Sequence, residues 1–75
     1  MVTIVASAVS LITLAVQAAE SPAVAQVYAD GKNIITALFK AGLIDVQTQN
    51  ALMGWCDAHM NATLAGQEPP EFVVS

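Results

Sequence analysis

Seventy-five residues suffice for one small domain, and the single cysteine rules out an internal disulfide. A hydrophobic content of 56% against 11% charged excludes intrinsic disorder and leaves more apolar side chain than a small monomer can hide. Two lysines, no arginine and a net charge of −4 argue against direct nucleic-acid binding, which needs clustered cations, and against attraction to anionic lipid headgroups.

The first segment, about residues 2–19, carries no charge before Glu20. At the helical period, Thr3, Ser7, Ser10, Thr13 and Gln17 share roughly one third of the circumference, with Leu14 intruding on their stripe. Val2, Ile4, Val5, Val9, Leu11, Ile12 and Val16 fill the rest, which predicts a helix buried over most of its surface. Three readings follow. Val16-Gln17-Ala18 suits a signal-peptide cleavage site, but the n-region has no Lys or Arg. A membrane span of about 27 Å is long enough, but it lacks basic flanks and aromatic belts. A helix buried against protein needs neither, and the scattered alanines Ala6, Ala8, Ala15, Ala18 and Ala19 allow close approach. The third reading is preferred.

Ser21-Pro22 reads as the capped start of a second helix, about 22–41. Its apolar side carries Val24, Val27, Tyr28, Ile34, Ile35, Leu38 and Phe39, and its polar side Gln26, Asp30, Lys32, Asn33, Thr36 and Lys40. Gly31 lies in the apolar stripe at a propensity cost of roughly 1 kcal/mol, so a close helix contact or a bend is expected there. Gly42 suits a left-handed terminator, followed by a short apolar connection at Leu43-Ile44.

Asp45 caps a third helix, about 46–65, with Val46, Leu52, Met53, Trp55, Cys56, His59, Met60 and Leu64 on its buried side. Gln47, Asn50, Asp57 and Asn61 face out, and Gly66 stops the helix. Pro69-Pro70 force the tail into an extended arm ending in Phe72, Val73 and Val74. The fold class is therefore all-α: a three-helix domain over 1–66 and an extended arm over 67–75.

Chemistry is sparse. Cys56 and His59, three apart on one helix face, could both reach a metal ion, but no further Cys or His completes a zinc site. As a catalytic pair they lack an orienting third group and an oxyanion hole. A packed histidine beside a buried thiol is the simpler reading, Asn61-Ala62-Thr63 matches a glycosylation sequon by coincidence, and Met53 and Met60 are core fillers. No catalytic residue, metal or cofactor is assigned, and the chain is read as non-enzymatic.

In the second half, Gly42, Ile44, Asp45 and Gln49 form a helix start, followed by Asp57, a terminating Gly66, the pair Pro69-Pro70, Phe72 and Val73. This pattern resembles small helical proteins of tailed phages and prophages, most of which have no assigned activity. The resemblance implies a phage context and a repeated virion component. The expected partners are copies of the chain itself, a larger capsid or tail protein, or both. Contacts are expected through Ile34, Ile35, Leu38, Trp55 and Met60, with the arm residues Phe72, Val73 and Val74 seated on a neighbour. The alternative is a small holin-like protein of the host inner membrane with one span at residues 2–19.

Overall fold

The computed structural model describes residues 2–72; Val73 and Val74 of the expected arm lie outside them. Helix α1 runs Val2–Ala18, helix α2 Val24–Lys40 and helix α3 Val46–Leu64, with a 3₁₀ turn at Ser21–Ala23 before α2. The all-α reading holds, and helix boundaries fall within two residues of the expected ones.

Helix α2 is the central element and packs against both α1 and α3, which do not approach each other closely along their backbones. Each helix contributes a stripe at helical spacing. Val5, Ala8, Ile12 and Val16 are buried from α1, Val24, Tyr28, Gly31 and Ile35 from α2, and Leu52, Trp55, Cys56 and His59 from α3. Ile44 of the connection is buried with them, while Leu43 beside it is exposed.

Local chemistry explains where the helices stop. Asp45 Oδ1 accepts the Thr48 amide at 2.7 Å, capping α3 as expected. Helix α2 ends in a Schellman turn: Leu43 N–H donates to Leu38 O at 3.0 Å and Gly42 N–H to Phe39 O at 3.0 Å, with Gly42 at φ +77°. Helix α3 ends identically, with Gln67 N–H on Ala62 O, Gly66 N–H on Thr63 O, and Gly66 at φ +71°. The start of α2 departs from expectation. The Ser-Pro pair forms a separate 3₁₀ turn, so the N-cap falls on Ala23, whose side chain offers no acceptor. Pro22, lacking an amide hydrogen, is accommodated in that turn instead of the first α-helical position.

Helix α1 buries only one stripe within this chain; Leu11 is 56% and Leu14 63% exposed, because a single neighbouring helix can cover only one side. No helix among the described residues is long and apolar enough to cross a membrane. The span that the holin-like alternative places at residues 2–19 is a 17-residue helix whose Val5, Ile12 and Val16 sit in the protein core, so no membrane span supports that alternative.

Candidate functional site: a polar knot beneath an arm-covered groove

The antiparallel α2–α3 hairpin sets the geometry. Folding both helices about the 41–45 connection places Tyr28 opposite the turn of α3 that holds His59 and Thr63. The Tyr28 hydroxyl makes a hydrogen bond with His59 Nδ1 and a second one, of 3.2 Å, with Thr63 Oγ1. Tyr28 is 1% and His59 6% exposed, so the pair is an interior feature. Desolvation holds the His59 imidazole below its ordinary value, favouring the neutral ring. The same register pairs Lys32 Nζ with Asp57 Oδ1 at the rim, where both partners remain substantially exposed.

A second set of contacts extends outward from His59. The Trp55 ring lies tilted against it, with centroids 5.0 Å apart. Trp55 Nε1–H donates to Pro70 O at 3.1 Å, and the Phe72 ring meets the indole edge-on at 6.2 Å. Trp55 thus fastens residues 70–72 to their own domain, with an aromatic contact on one side and a hydrogen bond on the other. Because α1 and α3 stand apart, a groove of about 540 Å³ opens between them. Val9, Thr13, Val16 and Gln17 form one wall, Trp55, His59 and Thr63 another, and residues 68–72 the third.

The expected contact residues divide accordingly. Ile35, fully buried, and Trp55 lie inside this chain's own core, Trp55 with an edge on the groove. Leu38 and Met60 pack partly buried against that core, and Phe72 does the same from the arm. The expectation that Phe72 reaches a neighbouring molecule gives way to this intramolecular seat, which the Trp55 indole provides. Ile34 is different: it is 40% exposed. It lies with Leu11, Ala15 and Val27 beside a shallow pocket between α1 and α2, on the flank of α1 opposite the larger groove.

Cys56 is wholly buried, and burial pushes its thiol above the ordinary value. Among the described residues, no three His, Cys, Asp or Glu side chains cluster as a metal site would require. The Tyr28–His59–Thr63 knot and the Trp55–Pro70 bond escaped sequence reasoning. A signal was present in the tyrosine and histidine sitting on apolar faces, at positions an antiparallel hairpin brings level. Compared with known proteins, the chain matches no family model, no curated protein and no solved structure.

Proposed function

We propose that this chain is a non-enzymatic assembly protomer that associates with copies of itself through the outer flank of α1 and the adjoining edge of α2. The observation that carries this reading is the exposure of Leu11 and Ile34, at 56% and 40%, beside one shallow apolar pocket between α1 and α2. Ala15, also exposed and lining that pocket, leaves room for a second copy's leucine. Asp30 is the only charged residue lining the shallow pocket there, so little charge must be desolvated on pairing. A face of alternating large and small apolar residues is self-complementary, the requirement of a two-fold interface. A repeated virion component is the setting implied by the phage-like pattern in the second half of the chain. Several members of that pattern also have structural roles here, since Asp45 caps α3 and Gly42 and Gly66 terminate helices.

Light scattering on the detergent-free protein tests the reading. The expected result is a discrete oligomer, which the double substitution Leu11→Gln and Ile34→Gln converts to the 7.8 kDa protomer without loss of helicity. A wild-type protein of protomer mass at high micromolar concentration overturns it.

A further inference from the structure

We propose that the groove between α1, α3 and the arm is a binding site for a small organic cation, an ammonium group carried on a ring-sized apolar body. The inference is independent of self-association, because the groove lies on the other flank of α1. Its volume, about 540 Å³, is within the range of small-molecule sites, and it sits between helices, where bundles place such sites. Val9, Val16, Trp55, Pro69, Pro70 and Phe72 supply an apolar and aromatic lining.

The polar groups decide the ligand's charge. No Lys or Arg lines the groove, whereas Glu68 and Glu71 both do. The obvious donors are already engaged: Trp55 Nε1–H with Pro70 O, and the Thr13 hydroxyl with Val9 O at 2.8 Å. Thr13 therefore offers the groove only a lone pair. His59 Nδ1 is held by Tyr28, while Nε2 has no partner among the described residues. His59 is itself one of the residues that line the groove. If Nδ1–H donates to Tyr28 Oη and Oη–H to Thr63 Oγ1, Nε2 carries a lone pair and can accept from a ligand. Gln17 and Thr63 are the remaining polar linings and can supply either sense. The groove is thus rich in acceptors, walled by aromatic rings and flanked by two carboxylates. That combination recognises a donor-bearing cation and disfavours an anion.

Three probes of matched ring and different head group separate the possibilities: benzylamine, benzyl alcohol and benzoate. Binding is read by the fluorescence of Trp55, the sole tryptophan, and by the His59 ring signals in NMR. Benzylamine is expected to saturate both signals and to bind at least about tenfold tighter than either other probe, the gain two partly exposed ion pairs can supply. The double substitution Glu68→Gln and Glu71→Gln, at exposed positions that leave the core untouched, should remove that preference while helicity is unchanged. Equal binding of all three probes, preference for benzoate, no saturation by any probe, or an unaltered preference in the double variant each overturns the proposal.

Discussion

Helix α2 has two seams, and they are constructed from different materials. Toward α3 it presents Tyr28 to His59 and Thr63, and Lys32 to Asp57, so polar partners mark a single register. Toward α1, no side-chain hydrogen bond crosses among the described residues; the fit depends on shape, with Ile12 seated directly over Gly31. Polar pairing fixes alignment because a slip strands a buried donor or acceptor, whereas an apolar seam tolerates sliding until a side chain meets backbone. The difference implies that the α2–α3 hairpin, closed by the five-residue connection 41–45 that contains Gly42 and ends at Asp45, is the stable unit, and that α1 docks on it.

The largest break in this arrangement is at Leu52, fully buried on α3. Leu52→Ala should cost about 2–5 kcal/mol, comparable to the about 3–5 kcal/mol a single small core supplies. Urea denaturation should find this variant largely unfolded at 25 °C. Retention of a wild-type midpoint would mean that Leu52 is not a core residue in solution.

A smaller break separates the seams. A Cβ at Gly31 would stand 3.0 Å from Ile12 Cδ1 and 3.1 Å from Cγ1, tighter than ordinary contact. Gly31→Leu should cost about 1–3 kcal/mol, with the strain directed at α1 alone. Amide exchange should then accelerate throughout α1 while α3 keeps its protection. Uniform acceleration in all three helices would show that the two seams form one cooperative unit.

How much of this was legible in the sequence follows from the same contrast. Capping and termination are local, so Asp45, Gly42 and Gly66 could be read from residue type and position. The faces of α2 and α3 were legible in part for a related reason, since charged residues there mark the outside, but Ile34, Phe39, Val46 and Leu64, expected on the buried sides, are exposed. Helix α1 has no charge to orient it, and the sequence alone could not separate the stripe held by α2 from the flank that Leu11 leaves open. Gly31 signalled a close approach or a bend, and the structure resolves it as an approach, with Ile12 the residue that comes near. The seat of Phe72 on Trp55 depends on where α3 and the arm meet after folding, and no spacing along the chain encodes that.

Tyr28→Phe probes the polar knot without changing its shape. Removing the hydroxyl leaves His59 Nδ1 unpaired in the interior, at a cost of about 1–3 kcal/mol. The wild-type protein should show the related pH effect. Burial lowers the His59 pKa from 6.5, so the folded state prefers the neutral ring. The contribution of the neutral ring is fully present above about pH 6.5 and is lost as pH falls below it toward the folded-state value. Thermal melting from pH 7.5 down to 5 should show this decline, and a flat profile would place His59 in water. The Asp45 cap, whose pKa is lowered by its bonds to Thr48, weakens only in more acid solution, as pH falls through and below 3.8.

The smallest predicted effect has the opposite sign and contrasts two glycines in helix interiors. Gly54 lies on the exposed face of α3, and a Cβ there meets nothing within 4 Å. Gly54→Ala should therefore gain nearly the full helix-propensity difference, about 1 kcal/mol, or about 4–8 °C in melting temperature. Gly31→Ala makes the same backbone gain on α2 but must displace Ile12, so its net effect should be zero or unfavourable. Melting both variants side by side isolates packing from propensity, because the chemical change is identical. Equal stabilisation would mean that Ile12 yields without cost and the α1–α2 seam is loosely packed; stabilisation at Gly54 alone would identify the close approach at Gly31 as the contact that fixes where α1 docks.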